Sequence, residues 1–156
     1  MNSLLYFFVN FITNKVIVAP AISWLVAHII KIIVGCYRSG FSKERFYLGG
    51  GMPSSHGAGI TALVIITGVL YGSASFEFAV SLLFGIVVLY DEIGVRFESQ
   101  RQGKALNNLN YERKEEGKQP LDVIKFKEKI GHTMPELLAG MAIGLIFGII
   151  VYYLPF

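Results

Sequence analysis

The chain has 156 residues, 53% of them hydrophobic and 16% charged, with a net charge of +3. Its apolar residues are bunched into runs approaching twenty, the length a hydrocarbon core of about 30 Å requires, which excludes most soluble domains. The same apolar content excludes a disordered chain, and the lone Cys36 has no partner for an internal disulfide or a thiolate metal site.

In chain order, Leu4 to Ile12 is apolar but too short to span. It lacks a basic leader and a small-residue cleavage site, so it reads as a helix at the membrane interface, or one packed against the bundle, rather than a signal peptide. Spans are expected at 16–35, 53–71, 76–90 and 137–153, with Gly72-Ser73-Ala74-Ser75 linking the second to the third. Residues 91–130 carry nine Lys or Arg and eight Asp or Glu, and read as a polar loop with short surface helices near 98–115 and 121–130. The expected fold is therefore all-α. It is a polytopic membrane helical bundle of about four transmembrane helices, a short N-terminal interfacial helix and a polar cytoplasmic loop, with residues 1–156 as one membrane domain. Four spans put twelve of the fourteen Lys and Arg residues on one side, which the positive-inside rule makes cytoplasmic, in a plasma-membrane protein.

Three places at the cytoplasmic ends of spans are hard to explain as membrane filler. Lys31 lies inside an apolar run and is followed by Arg38; a lysine there is either functional or snorkels to the headgroups. Gly49-Gly50-Gly51-Met52-Pro53-Ser54-Ser55-His56-Gly57 combines flexible glycines, a proline suited to a first helical turn, hydroxyls and an imidazole. Open N–H groups at such a helix start make an anion site and the histidine can deliver a proton, while the bland alternative is a serine cap with an incidental histidine. Gly131-His132-Thr133-Met134-Pro135-Glu136 places an imidazole and a carboxylate four apart. The carboxylate could fix the tautomer of His132 and free its other nitrogen as a nucleophile or base. Alternatively, Thr133 and Glu136 form a capping box.

The third span ends in Asp91-Glu92-Ile93-Gly94-Val95-Arg96. Arg96 could contact phosphate. Asp91 and Glu92 could hold a cation, orient basic residues, or be interfacial charge; the orienting role is the expectation. Gly140, Gly144 and Gly148 recur every fourth residue, a small-residue face for close helix packing within the bundle or in a homodimer. His28 is read as structural.

Taken in order, Lys31 and Arg38, then Pro53-Ser54-Ser55-His56, then His132, Glu136 and Leu137-Leu138-Ala139-Gly140 resemble the type-2 phosphatidic acid phosphatase superfamily, which includes vanadium haloperoxidases. Gly50-Gly51-Met52-Pro53-Ser54-Ser55-His56, the Tyr90-Asp91 to Arg96 stretch and Gly131-His132-Thr133 look like its small divergent membrane branch. The resemblance implies that Lys31 and Arg38 bind phosphate, with Ser54 and neighbouring backbone N–H groups adding hydrogen bonds; Ser55 and Arg96 are further candidate phosphate contacts. It makes His56 the general acid, His132 the nucleophile of a phosphohistidine intermediate, and Glu136 its orienting carboxylate. No cofactor and no metal are implied.

The departures are Ser39 for proline, Ser55 for glycine and Glu136 for aspartate. A Ser-Arg pair expected upstream of His132 is absent, its place taken by Phe126 between Lys125 and Lys127. The superfamily's usual bundle of about six spans also exceeds what this chain can supply. The expected function is a membrane phosphatase acting on a lipid phosphate or diphosphate at the cytoplasmic face, with the bilayer and the lipid as its partners and no nucleic acid. The alternative is a non-catalytic relative that binds anionic lipid or a phosphorylated ligand, or scaffolds a membrane partner.

Overall fold

In a computed structural model, described for residues 3–39, 51–121 and 125–155, the regular elements are all helical. They are α1 (Ser3–Thr13), α2 (Lys15–Ser39), α3 (Ser55–Tyr71), α4 (Phe76–Tyr90), α5 (Arg96–Glu115) and α6 (Met134–Tyr153). Three stretches are long and apolar enough to cross a membrane: Lys15–Tyr37, the first part of Phe76–Glu115, and Met134–Tyr153. The fourth expected span, α3, is a 17-residue apolar helix packed against α2, α4 and α6. The chain is a membrane helical bundle with α3 at its centre.

Local chemistry sets the boundaries. Asn14 separates α1 from α2, its side chain accepting from the Val16 N–H at 2.9 Å. The helix expected to begin at Pro53 begins instead at Ser55, because the Ser54 hydroxyl accepts from the Gly57 N–H at 2.9 Å and so occupies the N-cap. Ser75 caps α4 in the same way, accepting from the Phe78 N–H at 3.1 Å. At the far end of the bundle, the Lys15 ammonium donates to the carbonyls of Tyr152 (2.8 Å) and Leu154 (2.7 Å), satisfying the C-terminus of α6 where a cation is favoured. All of α1 is exposed.

The core consists mostly of small residues. Ala19, Ala62, Ile66 and Val151 form its fully buried cluster, and a hydrogen bond between the Thr67 and Ser81 hydroxyls (2.7 Å) ties α3 to α4. Lipid tails are as apolar as Leu, so membrane helices gain from close backbone approach more than from large apolar side chains. The glycine stripe on α6 serves that approach within one chain. A Cβ at Gly140 would lie 2.2 Å from the Ser54 carbonyl oxygen, one at Gly144 2.3 Å from the Ala58 oxygen, and one at Gly148 3.2 Å from Ile65 Cβ. All three glycines are buried against α3, so the stripe is not available to a second copy, and a homodimer through it is set aside.

A Gly144→Leu substitution should therefore cost more than the ~1–3 kcal/mol of ordinary overpacking, because its first contact is a backbone carbonyl. The thermal midpoint of the detergent-solubilised protein should drop sharply for Gly144→Leu and modestly for Gly148→Ala. Equal, small shifts at both positions would contradict this packing.

The polar region departs further from expectation. Helix α4 does not stop at the membrane surface: a π-helical turn, Asp91–Val95, joins it to α5, so one continuous helical rod runs from Phe76 to Glu115. The helix expected at 121–130 does not form over 125–130, and residues 122–124 lie outside the described residues. Leu121 and residues 125–130 instead lie alongside α5 without regular structure, their backbone bound by amide side chains one to two turns apart. Gln100 accepts from the Ile130 N–H (3.1 Å) and Asn110 from the Leu121 N–H (2.8 Å), while Asn107 accepts from the Phe126 N–H (3.0 Å) and donates to its carbonyl (2.9 Å). These bonds satisfy backbone groups that a helix would have satisfied internally.

Candidate active site

Four elements converge on Glu92. The π turn Asp91–Val95 adds a residue to the helical repeat and directs Glu92 into the bundle, where its side chain is 1% exposed. Glu92 Oε2 accepts from the Ser54 hydroxyl at 2.7 Å. Its Oε1 lies 3.0 Å from His56 Nδ1 and 3.5 Å from His132 Nδ1, so one carboxylate oxygen faces both imidazoles. Lys31, 8% exposed, reaches in from α2, its Nζ 3.4 Å from the Ser55 hydroxyl and its stem against Gly51.

His132 is delivered by the return segment just before α6. Its N–H donates to the Glu92 carbonyl at 3.3 Å, and Gly131 makes the approach possible, since a Cβ there would lie 2.5 Å from the backbone of Phe97. The ring is 2% exposed, and neither ring nitrogen has a hydrogen bond of good geometry among the described residues. Burial holds the pKa of His132 below the ordinary histidine range. Glu92 opposes that shift without overcoming it, while the charge of Lys31 acts in the same direction as burial. The imidazole is therefore neutral near pH 7, with Nδ1 toward Glu92 and Nε2 left for other chemistry. His56 is different in kind: its side chain is 45% exposed at the first turn of α3, where it can meet a ligand arriving from the membrane surface.

Of the residues expected to act together, Lys31, Ser54, Ser55, His56, Glu92 and His132 are brought into one cluster. Glu136 takes the capping-box role instead of an orienting one. Its Oε2 accepts from the Thr133 N–H at 2.9 Å, a local bond within one helical turn, and the carboxylate set against the His132 ring is Glu92. Arg96 is ion-paired to Asp91, five residues back across the π turn, and both are partly exposed. The Ser54 hydroxyl is committed at once to Glu92 and to the cap of α3, which makes it a brace for the acid. Arg38 and Gly49-Gly50 lie outside the described side chains. His28 stacks on Trp24, ring centroids 5.0 Å apart. Among the described residues no three His, Cys, Asp or Glu side chains are arranged to hold a metal ion.

A buried acid with an imidazole on each side and a buried lysine nearby, gathered at the ends of apolar helices, defines a class: an integral membrane helical bundle with a buried polar centre. The chain belongs to the Divergent PAP2 family, whose model matches residues 12–147. It is 32% identical over 117 residues to the uncharacterized membrane protein YuiD of Bacillus subtilis (strain 168), a match covering 67% of this chain and 72% of that protein. No solved structure matches the chain.

Proposed function

We propose that the protein is a membrane phosphatase that hydrolyses a lipid phosphate or diphosphate through a phosphohistidine, at the cytoplasmic face of the plasma membrane. The observation that carries this reading is the buried His132, with one ring nitrogen set toward a carboxylate and the other without a hydrogen bond among the described residues. In the first step His132 Nε2 attacks phosphorus, the ester P–O bond breaks, and protonated His56 gives its proton to the departing oxygen. In the second step water attacks the phosphohistidine and passes a proton to His56. The P–N bond breaks, releasing inorganic phosphate and restoring both imidazoles. Glu92 holds both rings and stabilises the imidazolium that forms. Lys31, beside the Ser55 hydroxyl, neutralises phosphoryl oxygens in a site from which water is largely excluded. The scaffold alternative leaves a buried, unbonded imidazole facing a buried acid without a purpose.

The test is phosphate release from a panel of lipid phosphates and diphosphates by the detergent-purified protein, with EDTA present. Because burial keeps His132 neutral, turnover should persist as the pH falls through the ordinary histidine range, and fail only once the lowered pKa of His132 is crossed. No release from any lipid by folded protein would refute the assignment.

A further inference from the structure

An apolar groove of about 570 Å³ starts at His56 and runs along the bundle between α2, α3 and α4. Its floor and walls include Val16, Pro20 and Trp24 of α2, Gly59 and Leu63 of α3, and Phe84 of α4. From His56 to Leu63 is seven residues, about 10 Å at 1.5 Å per residue, and from Val16 to Trp24 about 12 Å. One leaflet's hydrocarbon is about 15 Å deep, so the groove runs through most of a leaflet with the imidazole at its head. Below His56 its only side-chain polar group is the Trp24 indole, itself stacked on His28.

We propose that this groove holds the hydrocarbon chain of a phosphate ester of a long-chain alcohol, alkyl or polyprenyl, whose phosphate rests on His132, His56 and Lys31. This rests on the phosphatase reading and names its substrate class. The apolar lining starts immediately at His56, so the chain must begin immediately after the phosphate. A glycerolipid phosphate would place two ester carbonyls in that first stretch, where the Trp24 indole N–H is the one side-chain donor in the lining below His56 and can serve only one of them, leaving the other a costly unpaired acceptor. A simple alcohol ester has nothing polar there to satisfy. Gly59 keeps the groove open: a Cβ would meet the Pro20 carbonyl oxygen at 3.5 Å and Trp24 Cβ at 3.6 Å, ordinary contact distances. A Cβ there is therefore seated without parting the helices, and the further atoms of a larger side chain compete with the hydrocarbon for the space beside it.

The experiment uses the full chain in phosphatidylcholine vesicles and a hexadecyl phosphate with a mid-chain diazirine, photolysed and mapped by mass spectrometry. Cross-links should fall on residues 16–24, 59–63 and 84–88. Excess unlabelled hexadecyl phosphate should displace them about tenfold better than phosphatidic acid does. Gly59→Leu should cut the labelling about tenfold. Ala21→Phe, on an exposed groove-lining position that needs no helix repacking, should do the same if Gly59→Leu proves unstable. Labelling spread over lipid-facing Leu83 and Ile146, without displacement, would overturn the groove, and equal displacement by phosphatidic acid would overturn the alcohol ester. Labelling needs no turnover, so a protein that releases no phosphate yet shows displaceable groove labelling separates failure of the phosphatase reading from failure of this one.

Discussion

Replacing Glu92 with glutamine should lower kcat by on the order of 10³–10⁴ while leaving the protein folded. Glutamine has nearly the same volume, and its amide oxygen can still accept from the Ser54 hydroxyl that Glu92 Oε2 now receives at 2.7 Å. The other end changes sign: an NH₂ donor replaces the oxygen facing His56 Nδ1 at 3.0 Å and His132 Nδ1 at 3.5 Å. A donor there favours the tautomer of His132 with its proton on Nε2, the nitrogen needed for attack. A merely structural acid would shift the thermal midpoint and spare the pH profile. The positioning role predicts that the acid limb moves to lower pH as well, because Glu92, the larger of the two carboxylate influences that raise the basicity of His132, loses its charge. Glu136→Gln should lose far less, since glutamine also serves a capping box. Equal losses at 92 and 136, or a wild-type rate at 92, would put the orienting acid elsewhere.

His132→Ala should remove turnover by about 10⁴-fold or more, the scale seen when a covalent nucleophile is lost while binding remains. The wild-type protein, quenched during turnover of a ³²P-labelled lipid phosphate, should carry label that survives alkali and is released by acid, as a phosphoramidate does. The variant should carry none. The ring is 2% exposed, so alanine also leaves a cavity, and His132→Asn serves as a better-filled companion that cannot form the intermediate. Label retained in either variant would move the nucleophile away from His132.

The membrane class, the positions of the long helices and three of the polar residues at the site were legible in the sequence, because each is a local signal. An apolar run reports its own burial in lipid, and Lys31, His56 and His132 stood out against apolar or helix-start surroundings. Glu92 was visible as an acid but not as the partner of the histidines. Its role depends on a contact forty residues away in sequence and on a π turn that no periodicity announces. Glu136 drew attention by its spacing from His132, yet a carboxylate three residues after a threonine N-cap finds the nearer donor, and the local bond won. Gly140, Gly144 and Gly148 reported that two helices approach closely without saying which two. The stretch from Lys125 to Ile130 could have been helical by composition; the amides of Gln100 and Asn107 took its backbone N–H groups first.

The π turn also fixes how this chain can vary in length. Each helical residue turns the backbone by about 100°, and the rod from Phe76 to Glu115 carries the buried acid near its middle and the amides of Gln100, Asn107 and Asn110 beyond it. Removing one residue between 91 and 95 would restore a plain α-helix and swing the outer half by about a quarter turn relative to the membrane half. The acid and the amide row could then no longer both face their partners: either Glu92 would leave the bundle or the return segment would lose its row of anchors. The exposed 116–120 turn can absorb added or lost residues, whereas this stretch of helix is an angular joint, and its residue count is set by the need to keep both halves in phase.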